Sequence, residues 1–242
     1  MSATINHAAL VLAGKSQADG DDIRVVYWNG SGWVELDRML DPGSSWNTSS
    51  TTIWFKLQTA IPPSASDVSY YVYYGNSSAG APPATGNNVF YFYDGFESGD
   101  FSAWGGTATG TGDSISIATS PVHRGTYSAE AYVDDGSQAA AQNLFSAQLG
   151  FHTAVWLYLP SGYTASDYVS VVMYYRGSTG LPYGQWGSQL ASLNIWTDRI
   201  PYIYNVPGGE FYLSDTPLTT GVWHRLEMKI LVSDTLAEPS CG

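Results

Sequence analysis

Ile23-Arg24-Val25-Val26-Tyr27-Trp28 runs into Asn29-Gly30 and Ser31-Gly32, after which a second run of the same character begins. The first six residues are mostly β-branched or aromatic, the types that sit well on a pleated surface. Asn-Gly tolerates the positive φ angles of a tight hairpin turn, so the stretch reads as strand, turn, strand. The same grammar recurs in both directions. Thr52 to Leu57, Val68 to Tyr74, Thr153 to Leu159, Val169 to Arg176, Leu190 to Trp196, Pro201 to Asn205 and Val222 to Leu231 are short runs bounded by Gly, Pro, Asn, Asp or Ser. Helical periodicity is almost missing, which makes the chain all-β. The one candidate helix is the Ala- and Gln-rich piece Ser137 to Phe145. Ser77 to Asn88 is rich in Gly, Pro, Ala, Ser and Asn without any period and reads as a linker or long loop. The expected layout is a small β-sandwich over residues 1–90 and a jelly-roll β-sandwich over 91–242.

Composition narrows the partners. Nine basic against 21 acidic side chains give a formal charge of −12, which repels phosphate backbones and anionic membrane surfaces. Nucleic acid is therefore not an expected partner, and no apolar run is long enough to span a bilayer. Nine Trp, 18 Tyr and 8 Phe with only 12% charged residues are the opposite of a disordered composition. Cys241 has no partner in the chain, which excludes an internal disulfide. Ala8 to Ala13 is too short for a signal-peptide core and lacks a basic flank.

Asp19-Gly20-Asp21-Asp22-Ile23-Arg24, Ile53-Trp54-Phe55-Lys56 and Tyr73-Tyr74-Gly75-Asn76, in that order and spacing, resemble the small β domain catalogued as domain of unknown function 2341. That resemblance implies an extracellular or cell-surface location and carbohydrate-binding or lectin-like neighbours, and no chemistry. From about Phe92 the chain resembles lectin-like jelly rolls of the laminin-G and concanavalin type and the jelly-roll carbohydrate-binding modules. The residues that carry it are Asp94 to Trp104, His123-Arg124-Gly125-Thr126-Tyr127-Ser128 and Gly221-Val222-Trp223-His224-Arg225-Leu226-Glu227. Such modules continue with a strand pair turning on Asp-Gly. Here Leu236-Ala237-Glu238-Pro239-Ser240-Cys241-Gly242 follows instead, so the final strands are expected to be missing or the fold to close differently.

Asp94, Glu97 and Asp100 lie on a Gly-rich turn, and hard cations take carboxylate and carbonyl oxygens from such turns. The resemblance implies a structural calcium held by Glu97 and by carbonyls near the Gly125-Thr126-Tyr127-Ser128 stretch, with Asp94 as a weaker second carboxylate. The alternative is a solvated acidic loop. Asp19, Asp21 and Asp22, and Asp134-Asp135-Gly136, read as turns.

Alternation along the strands sorts the aromatics, because successive side chains point to opposite faces. Trp156 and Tyr158 oppose Val155 and Leu157; Tyr174 and Arg176 oppose Val171 and Met173; Asn194 and Trp196 oppose Leu193 and Ile195. Tyr202 and Tyr204 oppose Ile203, while Arg225, Glu227 and Lys229 oppose Leu226, Met228 and Ile230. Each strand thus has an aliphatic face and a mixed one. A pyranose offers C–H groups to an aromatic plane and hydroxyls to polar side chains, so a mixed face suits a glycan. On this reading Trp156, Tyr158, Tyr174, Trp196, Tyr202 and Tyr204 contact sugar rings, Arg176, Asn194 and Arg225 bond their hydroxyls, and the loop Gly177 to Gly187 with Tyr183 and Trp186 rims the groove. The competing reading is that these aromatics fill the other half of a core.

The expected function is a non-catalytic polysaccharide-binding module of a secreted or cell-surface protein. One alternative is a glycoside hydrolase or polysaccharide lyase on the same face. Glycoside hydrolysis needs two carboxyl groups; Glu227 is the best first, with Glu130 or Glu210 as partner, though Arg225 and Lys229 flank it as charge compensation. For a lyase base, His224 falls on the core side and His123 in a turn. A surface-adhesion or structural module is the other alternative.

Overall fold

The computed structural model describes residues 1–62, 64–134, 138–146, 148, 150–175, 189–205, 210–213 (backbone only) and 215–231. Nearly everything regular in them is strand, so the fold is all-β. The chain divides into two compact units, Met1–Asp94 and Gly95–Gly242.

In the first unit the elements run β1 (Ser2–Ile5), α1 (His7–Leu12), β2 (Arg24–Trp28), β3 (Trp33–Leu36), β4 (Arg38–Leu40), β5 (Thr51–Phe55), β6 (Tyr70–Tyr73) and α2 (Gly86–Val89). They make two antiparallel sheets ordered β1-β5-β4 and β3-β2-β6. The Asn29 turn forms as its residues require: the Asn29 Oδ1 accepts the Ser31 and Gly32 N–H groups at 2.9 Å each, and Gly30 takes φ +94°. Trp28 then opposes Trp33. Period-two alternation sends Ile23, Val25, Leu36, Ile53 and Phe55 into one buried cluster, while the opposite positions of β2, β3 and β6 face outward. Two departures from the sequence reading occur here. Ala8 to Ala13 mostly forms α1, capped by the Asn6 Oδ1 accepting the Ala9 N–H at 3.1 Å. The supposed linker contains α2, whose Asn88 side chain donates to Asp37 at 3.1 Å.

Two buried charges of this unit are held by hydrogen bonds. Arg38, 5% exposed, donates from Nε to the Ile23 carbonyl (2.9 Å) and from an Nη to the Gly20 carbonyl (2.6 Å), with its guanidinium 4.6 Å from the Trp46 ring. Burial brings its pKa down to about 10. Burial also pushes the Asp22 carboxyl up, but N–H and O–H donors from Gly75, Ser16 and Gln17 outweigh that and hold it low.

The second unit contains β7 (Gly106–Thr109), β8 (Ser114–Ala118), β9 (Ser128–Tyr132), β10 (Ala139–Gln142), β11 (Gly150–Tyr158), β12 (Val169–Tyr175), β13 (Gln189–Ile195), β14 (Pro201–Asn205), β15 (Glu210–Leu213) and β16 (Trp223–Leu231). Its main layers are the pair β11-β16 and the sheet β12-β13-β14-β15. Val155, Leu157, Leu226, Met228 and Ile230 of the pair meet Ala191, Leu193, Ile195 and Ile203 of the sheet in a single cluster, which defines a sandwich. The expected helix over 137–145 is instead β10, paired with β7 from Ala139↔Thr109 to Gln142↔Gly106. Alanine's helix propensity is worth only tenths of a kcal/mol per residue, and a ladder of backbone hydrogen bonds overrides it.

Candidate functional site

The residues expected to share one glycan face lie on two faces that point in opposite directions. Trp156, Tyr158, Arg225 and Glu227 project from the outer side of β11-β16; Asn194, Tyr202 and Tyr204 project from the outer side of the four-stranded sheet. Both sheets turn their aliphatic faces to the core between them, so alternation within strands, correctly read, still leaves these side chains on opposite sides of the sandwich.

The β11-β16 face is an ordered strip. The register sets Tyr158 opposite Trp223, Trp156 opposite Arg225, Ala154 opposite Glu227 and His152 opposite Lys229. At one end the aromatics gather. The Tyr158 and Trp223 ring centroids are 5.5 Å apart, and His123 stacks on Trp156 at 3.7 Å while meeting Trp223 edge-on at 5.6 Å. The buried Trp156 Nε1–H has no hydrogen-bond partner among the described residues. At the other end the charges gather. The Glu227 carboxylate takes Arg225 Nε at 2.5 Å on one oxygen and His152 Nε2 at 3.2 Å on the other, with Glu227 and His152 side chains both about two-fifths exposed (41% and 42%). Lys229 is exposed beside them.

His123, Trp223 and His152 are the residues that the strand sorting missed. His123 comes from the 119–127 loop between β8 and β9, far from β11 in sequence, and only the fold brings it to Trp156. Burial, with the Arg124 charge, lowers its pKa, so the stacked imidazole is neutral at pH 7. Trp223 and His152 were legible in principle, since alternation from Arg225 and from Trp156 places them on the same faces.

Glu97 holds that loop. Its carboxylate accepts the backbone N–H of Thr126 at 3.0 Å on either oxygen and of Tyr127 at 3.1 Å. Gly125 beside it has φ +78°, and a Cβ there would lie 2.3 Å from the Glu97 Oε1, so both the backbone and the close approach require glycine. The groups presented to Glu97 are N–H donors, whose positive ends suit a carboxylate and oppose a cation. Asp94 belongs to the other unit, and among the described residues no three His, Cys, Asp or Glu side chains converge for a metal. Among the described residues the Glu97 carboxylate thus acts as a cap on the 125–127 turn.

On the opposite sheet the polar groups are interior. Asn194, 1% exposed, accepts from Ser170 Oγ at 2.6 Å and donates to Ser192 Oγ at 2.8 Å, so its amide is spent within the sheet and not on a ligand. Tyr202 is 3% exposed and stacks on Trp196 with centroids 4.8 Å apart. Burial, then Tyr168, Asp167 and Tyr204, push its phenol up to about 12. Tyr204 is half-buried opposite Ser192. Tyr174 is a clear correction. A register shift between Ser170 and Val172 inserts a bulge, which turns Tyr174 inward onto the core with Phe151 at 4.4 Å and its hydroxyl bonded to Thr153. Burial raises its pKa accordingly.

As for catalysis, Glu130 stands exposed on β9 in a two-stranded sheet with β8, separate from the sheet that carries Glu227. Arg176, the 177–187 loop with Tyr183 and Trp186, the Glu210 side chain, Asp135-Gly136 and the 236–242 stretch lie outside the described residues.

Compared with the curated proteins and with the solved structures, the chain has no significant match to either. Residues 19–107, in the N-terminal part of the chain, match the model of one protein family, the Domain of unknown function (DUF2341).

Proposed function

We propose that the chain is a non-catalytic polysaccharide-binding module of a secreted or cell-surface protein, with a lectin-like jelly roll as its second unit. The observation that carries this reading is the β11-β16 strip, where a Tyr158-Trp223-His123 aromatic end adjoins an Arg225-Glu227-His152 charged end on one sheet face. Rings at one end match the apolar face of a pyranose, and charged groups at the other match its hydroxyl rim. Trp156 supports this surface from below His123. Binding is preferred to cleavage because both oxygens of Glu227 face cationic or N–H groups, and Glu130, one of its two expected partners, stands on a different sheet.

The test is affinity electrophoresis of the full chain through gels containing each of a broad panel of plant, algal and bacterial polysaccharides, beside an assay for new reducing ends and unsaturated products. Retardation by one or more polymers without product release is expected, and Trp223→Ala and the exposed Lys229→Ala should each reduce it. Product release that is lost in Glu227→Gln overturns the reading in favour of an enzyme. Free migration in every gel overturns it altogether.

A further inference from the structure

The first unit carries an aromatic surface of its own. On the outer side of β3-β2-β6 the register aligns Trp28 with Trp33, then Val26 with Glu35 and Tyr71, then Arg24 with Tyr73. Trp28, Trp33, Tyr71 and Tyr73 are 39%, 51%, 47% and 50% exposed, on a sheet whose other face is the core. Trp33 is the hub. Its ring lies 5.0 Å from Trp28, and it leans across β2 to meet Tyr71 at 5.1 Å and Tyr73 at 6.0 Å, both edge-on. The rings therefore hold one another in place while remaining open to solvent, and a large exposed apolar cluster of this kind marks a contact surface.

We propose that this face is a second glycan-binding platform, built for a neutral sugar chain. Charge is the first argument. The charged side chains at the outward strand positions are Arg24 and Glu35, and they neutralise each other at 2.8 Å. Arg24 is also tied to the Asp21 and Gly80 carbonyls. A face without net charge in a chain of −12 matches a neutral ligand better than an ionic one. Size is the second argument. Three strands at ~4.8 Å spacing and three outward rows at ~7 Å spacing cover on the order of 10 × 14 Å. A platform of that span accommodates a short run of sugar rings. Chemistry is the third. The cluster is Trp and Tyr, each with a polar tip beside its apolar ring, and the one aliphatic side chain among the outward positions, Val26, is half-buried.

The ligand class is that of the proposed function, but the residues are different, so the two stand or fall separately. The experiment is calorimetric titration of the full chain with neutral hexasaccharides of β-linked glucose, xylose and mannose, using wild type, Trp33→Ala, Tyr73→Ala, Trp223→Ala and the double variant Trp33→Ala/Trp223→Ala. At least one hexasaccharide should bind, with Trp33→Ala weakening it about tenfold or more, the equivalent of ~1.4 kcal/mol, in the Trp223→Ala background as well as in wild type. Loss through Trp223→Ala alone, with Trp33→Ala and Tyr73→Ala binding as wild type, overturns this proposal and leaves the strip reading intact. No heat with any hexasaccharide also overturns it. So does concentration-dependent self-association in sedimentation that Trp33→Ala abolishes, since the face would then join two copies of the chain.

Discussion

Acidifying the solution from about pH 7.5 to about pH 5.5 should weaken the first unit through His7. The ring is wholly buried, with the Asn47 N–H donating to Nδ1 at 2.9 Å and Ser16 Oγ 3.0 Å from Nε2. Ser16 donates its own proton to Asp22 at 2.8 Å, so the imidazole proton sits on Nε2 and Nδ1 must stay bare. Protonation would aim a second N–H at Asn47, losing about 1 kcal/mol of hydrogen bond and burying a charge. Burial, partly offset by Gln17 and Asp22, accordingly lowers the folded pKa below 6.5. The unfolded chain takes up a proton near 6.5 and the folded chain does not, so stability is full above that value and falls as pH drops through it. The loss is about 1.4 kcal/mol per pH unit until the folded pKa is reached. Urea unfolding of the full chain at both pH values should show this loss in wild type and a smaller one in His7→Asn, and imidazole NMR should place the His7 titration below 6.5. An equal loss in both proteins, or a His7 ring titrating at or above the unfolded value, would refute the reasoning.

Glu97→Ala should lower the melting temperature of the second unit by removing the cap on residues 125–127, at a cost of roughly 1–2 kcal/mol, whereas a calcium chelator should leave wild-type melting unmoved; a chelator-induced drop would show that a cation is held after all. Gly125→Ala should be as damaging, because it combines positive φ with collision against Glu97, and both variants should weaken polysaccharide retardation by releasing His123. Asn194→Ala should cost roughly 1–3 kcal/mol without changing glycan binding, read by thermal melting beside gel retardation. An alkaline ultraviolet titration should leave Tyr202 un-ionised after the exposed tyrosines have titrated, and Tyr202→Phe should delete that last step.

Alternation made the strands legible. Pro201 to Asn205 was read with its bounds, and the runs at Ile23, Thr52, Val68, Thr153, Val169, Leu190 and Val222 fall within a few residues of β2, β5, β6, β11, β12, β13 and β16. Within each strand the sorting of faces also held, except at β12, where the bulge after Ser170 turns Tyr174 inward. Pattern within a strand carries no information about which sheet that strand joins. Hence Trp156 and Asn194, both on mixed faces, end on opposite sides of the sandwich. His123 was illegible for a related reason, since a loop residue has no period and its partner Trp156 is 33 positions away. The short elements were lost to weak local signals: a six-residue helix at His7 and an Ala-rich strand at Ala139 look alike until tertiary pairing decides them.

The ladder of the first unit bears on its birth at the ribosome. Ser2 pairs with Trp54 and Arg24 with Tyr73, so neither sheet is complete until residues some fifty positions downstream have emerged. At roughly 5–20 residues per second, β1 and the β6-facing edge of β2 spend seconds without their partners. Such non-local pairing is slow and exposes sticky edges in the meantime. The early, locally closed pieces, α1 with its Asn6 cap and the Asn29 hairpin, are the segments able to form during that wait, and they shorten the stretch of naked strand that nascent-chain chaperones must cover.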